Sequence, residues 1–143
     1  MDWPNTEIKI DRDCEWYCDG VKMIRENIIE LLSRNIVADK DGKWLIKFEN
    51  QSYPVLVEDV PFLVKEIISD GNDLRIRTND NRVLDLPSGG IEIKDNTPYV
   101  SLFNKRLDAK LSRSAFWELS KFIRKYDGDY IIDYAGRKWP VKQ

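Results

Sequence analysis

An internal repeat constrains the fold of this chain more than any other feature of its sequence. Two pairs of stretches align with each other: residues 22–32 with 110–120 at an offset of 88, and residues 41–55 with 127–141 at an offset of 86. They share nine identities in 26 aligned positions. Self-similarity of this kind is typical of duplicated supersecondary units. We therefore expect two copies of a strand–helix–hairpin unit, although a common α+β pattern in both halves would explain part of the match.

The matched residues predict equivalent places in the two copies. Arg25 aligns with Arg113 near the start of a helix, and Pro54 aligns with Pro140 in the last strand. The repeat predicts an N-terminal unit at residues 1–60 and a C-terminal unit at residues 61–143, packed as one compact body. The C-terminal unit would contain an additional run of strands over about residues 61–98.

The pattern of apolar and turn residues predicts an α+β fold that is mostly antiparallel β with two helices. The first helix is expected over residues 24–33. Its inner face would hold four apolar side chains: Ile24, Ile28, Leu31 and Leu32. The second helix is expected to begin after Ser112, a good N-cap residue, and to run to about Tyr126.

The absence of histidine restricts the chemistry of the chain. It excludes Ser-His-Asp and Cys-His nucleophiles and histidine-containing zinc sites. Cys14 and Cys18 would lie about 13 Å apart along a strand, which is too far for a disulfide. No pair of carboxylates is arranged for acid–base chemistry. We therefore expect a protein that is not an enzyme and that holds no metal and no cofactor.

The charge balance limits the expected partners. The chain has 23 basic and 25 acidic residues, a net charge of −2, so neither nucleic acid nor anionic lipid is attracted to it as a whole. No apolar run approaches the roughly 20 residues of a membrane span, and residues 1–5 do not resemble a signal peptide. Together with two thiols read as reduced, these features favour a cytoplasmic location.

One strand carries a candidate anion site. Arg75, Arg77 and Asn79 would share one face of a strand, while Leu74 and Ile76 would lie on the other. Two guanidinium groups about 6.5 Å apart can bind one phosphate or two carboxylates. The alternative is a solvated face whose arginines pair with nearby acids.

Arg25 and Arg113 are the other candidate anion ligands. A cation near a helix N-terminus opposes the helix dipole, yet the chain places one there twice. Either each arginine pairs with a carboxylate such as Glu58 or Asp59, or it helps the helix end to hold an anion. We predict that Arg75, Arg77 and one helix-start arginine converge at a cleft between the halves. Three aromatic side chains are candidates to stack on a base: Trp16, Tyr99 and Trp117.

The assembled motifs resemble one known family. They are, in chain order, Ile8–Arg12 with Trp16 and Tyr17, Tyr53–Val64, Leu74–Asn79, and Pro98–Leu119. From about residue 7 to residue 141 the chain resembles the bacterial domain-of-unknown-function family 1285. The resemblance implies a duplicated α+β core whose C-terminal half is superficially similar to pleckstrin-homology domains. It also implies a nucleotide-like ligand between the halves and a role in signal transduction.

Two functions remain open on the sequence. The first is a ligand-binding or sensory module for an anionic, nucleotide-like small molecule at the interface between the halves. The second is an adaptor that binds a protein partner through an exposed strand edge or aromatic patch.

Overall fold

The structure is a computed structural model that describes residues 6–143, so the expectation about a signal peptide at residues 1–5 lies outside the described part of the chain. The chain divides into two compact units, Met1–Phe62 and Leu63–Gln143, which are described separately below. In the described range, no helix is long and apolar enough to cross a membrane.

The first unit is a six-stranded sheet with one helix. Its elements are β1 (Ile8–Ile10), β2 (Trp16–Cys18), β3 (Val21–Lys22), α1 (Glu26–Ser33), β4 (Ile36–Ala38), β5 (Trp44–Phe48) and β6 (Gln51–Val57). The strand order is β3-β2-β1-β6-β5-β4, and the central β1–β6 pair is parallel while the other pairs are antiparallel. The core is formed by alternate side chains of these strands, among them Ile10, Trp16 and Ile46.

The second unit is a nine-stranded sheet with one helix. Its elements are β7 (Phe62–Ser69), β8 (Leu74–Thr78), β9 (Val83–Asp85), β10 (Ile91–Lys94), β11 (Thr97–Val100), β12 (Ala109–Leu111), α2 (Arg113–Ser120), β13 (Ile123–Tyr126), β14 (Asp129–Tyr134) and β15 (Arg137–Lys142). The order is β13-β14-β15-β10-β11-β12-β7-β8-β9. The mostly β architecture with two helices confirms the predicted α+β class.

Six strands and the helix of the second unit repeat those of the first. Strands β10 to β15 follow the same order as β1 to β6, and both units have one parallel pair at the centre of the repeated strands. The registers also agree: Leu45 pairs with Pro54 as Ile131 pairs with Pro140. Pro54 and Pro140 therefore occupy equivalent places, as predicted.

The repeat is larger than the sequence alignment indicated. Tyr17 pairs with Lys22 in the first unit, and Tyr99 pairs with Lys110 in the second, so β1–β3 correspond to β10–β12. The prediction that the whole of residues 61–98 is additional to the repeat is therefore wrong. Only β7, β8 and β9 have no counterpart in the first unit.

The predicted alignment of the two helices is wrong by one residue. The amide of Ile29 donates to the Arg25 carbonyl, and the amide of Phe116 donates to the Ser112 carbonyl. These bonds make Arg25 equivalent to Ser112 rather than to Arg113. Burial agrees, because Leu32 is 3% exposed and Leu119 is fully buried, whereas Leu31 is 49% exposed. One additional residue before α1 accounts for the shift.

Two further predictions about the helices are wrong. Helix α2 ends at Ser120, and Ile123–Tyr126 forms β13 because its residues pair with β14. In α1, the expected inner-face residue Ile24 lies before the helix and is 82% exposed. At Ile123–Tyr126, strand pairing with β14 has overridden the helical spacing of apolar residues.

Candidate functional site

The arginines of β8 lie on one face of the strand, as the alternation predicted. Leu74 and Ile76 are buried, while Arg75 is exposed and Arg77 is partly exposed. Arg75 lies 3.6 Å from Asp85, and Arg77 donates to Glu66 at 3.0 Å. These contacts match the alternative interpretation, in which a solvated arginine face pairs with nearby acids.

The turn before β8 adds a third acid to this face. Asp70 lies 4.0 Å from Arg75 and accepts hydrogen bonds from the backbone amides of Asp73 and Asn72. The amide of Asp73 and then that of Asn72 hold the pKa of Asp70 below its usual value, and Arg75 contributes less. The carboxylate therefore orders the β7–β8 turn while also neutralising part of the arginine charge.

Asn79 has a structural contact in the place predicted for an anion ligand. Its side-chain oxygen accepts from the backbone amide of Leu63 at 3.2 Å, and its backbone amide donates to the Leu63 carbonyl at 2.8 Å. This exchange joins the end of β8 to β7.

The helix-start arginines differ in position and belong to different units. Arg25 is the N-cap residue of α1, whereas Arg113 is the first residue of α2 and follows the cap Ser112. The carboxylate expected to pair with one of them, Glu58, instead accepts from Lys9 at 2.8 Å. That hydrogen bond lowers the pKa of Glu58 and raises the pKa of Lys9. The convergence of Arg25 or Arg113 with Arg75 and Arg77 at a cleft between the halves stays a prediction.

The three predicted stacking aromatics lie in different environments. Trp16 is 1% exposed in the core of the first unit, so it offers no face to a ligand. Trp117 is 69% exposed on α2. Tyr99 is partly exposed on β11 in the second unit.

A cavity in the second unit collects basic side chains that the sequence analysis did not single out. It has a volume of about 350 Å³, and its lining includes Lys105, Arg106 and Lys142. Glu92 is the acidic residue of the lining and lies 3.3 Å from Lys94. The cavity is therefore locally basic in a chain whose net charge is −2.

A buried carboxylate shapes the loop that carries two of these cations. Asp108 is fully buried and accepts four hydrogen bonds of 2.7–3.0 Å. The donors are the amides of Leu102, Phe103 and Asn104 and the side-chain nitrogen of Asn104. A buried carboxylate is stable only when hydrogen-bond donors compensate for its lost hydration. Here all four donors come from one short loop. Asp108 thus holds the backbone that immediately precedes Lys105.

A second buried acid, in the turn that follows β8, supports the same loop. Asp80 is 1% exposed, accepts from the Thr78 hydroxyl, and receives two hydrogen bonds from Arg82, at 2.7 and 3.1 Å. The Arg82 guanidinium lies over the Phe103 ring, 3.7 Å from its centroid. The two hydrogen bonds to Asp80 fix the plane of the Arg82 guanidinium, and the stacked Phe103 ring joins that plane to the loop.

A row of paired residues crosses the sheet beside the cavity. Lys142 pairs with Glu92, Glu92 pairs with Tyr99, and Tyr99 pairs with Lys110. Residues paired directly across strands point to the same face of a sheet. Tyr99 is therefore the predicted stacking aromatic that shares a face with the cavity lining.

The Gly89–Gly90 turn closes one side of the cavity. The Gly90 amide donates to the Pro87 carbonyl at 2.9 Å, and a Cβ on Gly90 would lie 1.9 Å from the Pro140 oxygen. Gly89 is different, because nothing lies within 4 Å of the position of its missing Cβ. In the described part of the chain its amide makes no hydrogen bond.

The sequence did contain signals for this site, but each was weak alone. Gly89-Gly90 indicated only a turn, and the Lys105-Arg106 doublet stands out from a chain of balanced charge. The lining comes from three segments, near residues 90, 105 and 142. Their meeting depends on the parallel β10–β15 pairing, which no local pattern shows.

Without histidine, the side chains that could hold a metal ion in this chain are those of Cys, Asp and Glu. Between residues 6 and 143, no group of three or more Cys, Asp or Glu side chains is placed to hold a metal ion. Cys14 and Cys18 are not joined by a disulfide.

Comparison with solved structures decides the fold. A DUF1285 family protein from Silicibacter pomeroyi DSS-3 has a TM-score of 0.81 at 20% identity, over 95% of this chain and 79% of that chain. The fold is that of DUF1285 family proteins.

A second DUF1285 family protein, from Shewanella baltica OS155, has a TM-score of 0.68 at 17% identity, over 82% of this chain and 92% of that chain. No family model and no curated protein sequence matches the chain. The DUF1285-like fold expected from the sequence motifs is confirmed, and the likeness to pleckstrin-homology domains stays a prediction.

Proposed function

We propose that the second unit binds an anionic, nucleotide-like small molecule in the basic cavity. The observation that carries the proposal is the set of three cations, Lys105, Arg106 and Lys142, around a volume of about 350 Å³. This volume is near the lower end of the range for small-molecule sites in proteins, which is roughly 300–1,000 Å³. Neither Lys105 nor Lys142 forms an ion pair within residues 6–143.

The donors suit a phosphate group. Ammonium and guanidinium groups form charge-assisted hydrogen bonds with phosphate oxygens, and the Gly89 amide supplies a neutral donor beside them. The buried Asp108 holds the loop before Lys105, so part of the ordering cost is met before a ligand arrives. Tyr99 supplies an aromatic surface on the same sheet face for a base.

The site favours binding over catalysis. Its carboxylate, Glu92, lies 3.3 Å from Lys94, and its hydroxyl, Ser101, donates to the Asn104 carbonyl at 2.5 Å. Neither group has a base or acid arranged beside it as a nucleophilic or acid–base site requires. We therefore propose a sensory role in signal transduction rather than an enzymatic one.

Calorimetric titration with pyrophosphate and with adenosine monophosphate tests the proposal. The double variant Lys105→Gln, Lys142→Gln should bind at least about tenfold more weakly than the wild type, because each charge-assisted hydrogen bond contributes roughly 1.5–3 kcal/mol. Lys121→Gln, which removes a lysine paired with Glu118 on α2, is the matched control and should bind like the wild type.

A second variant separates the two candidate sites. Arg75→Ala with Arg77→Ala removes the arginine face and should leave the affinity within about twofold of the wild type, since a twofold change is only about 0.4 kcal/mol. Loss of binding in this variant, with binding retained in the lysine variant, would place the ligand on β8. If neither probe binds the wild-type protein at about 1 mM, which corresponds to roughly 4 kcal/mol, the proposal is wrong.

A further inference from the structure

The position two residues after the helix differs between the two repeated units. The amide of Lys47 donates to the Asn35 carbonyl at 2.9 Å, and the amide of Asp133 donates to the Phe122 carbonyl at 2.9 Å. Asn35 and Phe122 therefore occupy equivalent places. One unit carries a polar amide side chain where the other carries an aromatic ring.

In the second unit this aromatic ring has a defined neighbour. The Phe122 ring packs on Tyr134, with the ring centroids 4.8 Å apart and an angle of 71° between the planes. This edge-to-face geometry is favoured between aromatic side chains. The counterpart of Tyr134 is Phe48, because Phe48 pairs with Gln51 as Tyr134 pairs with Arg137. The repeat thus shows that an aromatic ring packs well beside the position of Phe48.

The first unit leaves the place beside Phe48 open. The side-chain nitrogen of Asn35 donates to the Leu31 carbonyl at 2.7 Å, so the amide turns back onto α1. Phe48 is 36% exposed and lines a cavity of about 350 Å³ between α1 and the β5–β6 hairpin. We call this space the Phe48 cavity. Its volume lies within the range of small-molecule sites in proteins.

The helix side of the Phe48 cavity is apolar. It is formed by Ile28, Leu31 and Leu32, which share one face of α1. Leu31 is 49% exposed, whereas its counterpart in the second unit is Glu118, which accepts from Lys121 at 3.1 Å. The first unit therefore places an apolar side chain at the cavity where the second unit has a surface ion pair.

The charged residue of the lining is an acid. Glu49 lies in the turn between β5 and β6, and its side chain forms no ion pair within residues 6–143. In the described part of the chain, no lysine or arginine belongs to the lining. The Phe48 cavity thus combines an apolar space beside an aromatic ring with one unpaired carboxylate.

The nearest cations along the chain are directed elsewhere. Lys47 pairs with Ser52 and so lies on the opposite face of the hairpin from Phe48. Arg34, just after α1, lies 2.7 Å from Glu30. Glu49 is therefore available to a cation from outside the chain.

We propose that the Phe48 cavity binds a small molecule that contains an aromatic ring and a positively charged amine. The ring packs beside Phe48 as the Phe122 ring packs beside Tyr134, and the amine forms a charge-assisted hydrogen bond with Glu49. This site lies in the first unit and goes beyond the anion site proposed for the second.

Titration of ¹⁵N-labelled protein with phenethylamine tests the proposal. We expect the amide resonances of residues 28–32 and 48–53 to shift, with a dissociation constant of about 1 mM or lower for a ligand of so few atoms. Hydrocinnamate has a similar ring and the opposite charge, whereas butylamine has the charge and no ring. Each should bind at least about fivefold more weakly than phenethylamine.

A substitution taken from the repeat tests the position of the ring. Asn35→Phe gives the first unit the aromatic residue of the second, and it should weaken phenethylamine binding by at least about tenfold because the new ring packs beside Phe48. Asn35→Ala is the matched control. It removes the same amide without adding a ring, and its affinity should stay within about twofold of the wild type.

A second pair of variants tests the charge and does not depend on the folding of Asn35→Phe. Glu49→Gln should lower the affinity for phenethylamine several-fold and remove its preference over hydrocinnamate. Asp95→Asn removes a negative charge from the β10–β11 turn of the second unit and should keep that preference.

Three results would overturn the proposal. The first is no shift at residues 28–32 and 48–53 with about 5 mM phenethylamine. The second is equal binding of phenethylamine and either comparison compound by the wild-type protein. The third is unchanged affinity in a folded Asn35→Phe variant, which would show that the ligand ring does not lie beside Phe48.

Discussion

At the scale of single residues, the two glycines at the basic cavity have opposite constraints. Gly90 has a φ of +68° and no room for a side chain, because its Cβ would lie 1.9 Å from the Pro140 oxygen. Gly89 has open space at the corresponding position. The same dipeptide thus contains one residue required by packing and one that leaves the cavity open.

We predict that Gly90→Ala destabilises the protein by about 2–4 kcal/mol, through a backbone clash added to an unfavourable φ. Gly89→Ala is the matched control and should change the free energy of unfolding by less than about 1 kcal/mol. Urea denaturation of both variants measures the difference. Equal effects of the two substitutions would contradict the packing argument.

At the scale of elements, the two equivalent helices differ in how their N-termini are capped. The Ser112 side chain accepts from the Ala115 amide at 3.1 Å, whereas Arg25 makes no side-chain cap hydrogen bond. Arg25 also places a positive charge at the positive end of the helix dipole. Helix α1 is therefore the less well capped copy of the same structural element.

We predict that Arg25→Ser stabilises the protein by about 1 kcal/mol, because serine accepts from a free amide of the first helical turn. The reciprocal change Ser112→Ala should destabilise it by a similar amount, about 0.5–2 kcal/mol. Thermal unfolding of both variants provides the comparison. A destabilised Arg25→Ser protein would mean that the arginine itself holds the start of α1.

The β7–β8 turn should respond to acid. The folded-state pKa of Asp70 is lowered by the Asp73 and Asn72 amides, so its contribution to stability is fully present above its usual value of 3.8 and is lost as the pH falls through the lowered pKa. We predict that Asp70→Ala lowers the melting temperature at pH 7 and that the difference from the wild type shrinks below about pH 3. A difference that does not change with pH would exclude a role for the ionised carboxylate.

At the scale of the whole molecule, the sequence predicts what is local or repeated. The Pro54–Pro140 match found the equivalent hairpins, and turn residues located most strands. The correspondence of β1 and β2 with β10 and β11 was missed because it is carried by strand pairing rather than by identical residues. The helix offset was wrong because chance identities, such as Leu31 with Leu119, outweighed burial, which cannot be read from one sequence.

The candidate site was less predictable than the fold. Alternation along β8 placed the arginines on one face, but it could not show that Asp70, Asp85 and Glu66 lie beside them. The basic cavity joins segments that are distant along the chain, and its loop is ordered by Asp108, a residue that resembles any surface acid in sequence.

The central parallel pair of each unit also has a consequence for the kinetics of folding. Ile8 pairs with Val55, 47 residues later, and Ile91 pairs with Val141, 50 residues later. Each sheet is therefore completed by closing a long loop, and the entropy of that closure must be overcome before the central contacts form. Chains dominated by such distant contacts fold in milliseconds to seconds rather than microseconds. The hairpins β5–β6 and β14–β15 can form early. Their last strands, β6 and β15, become central strands only after they pair with β1 and β10, respectively.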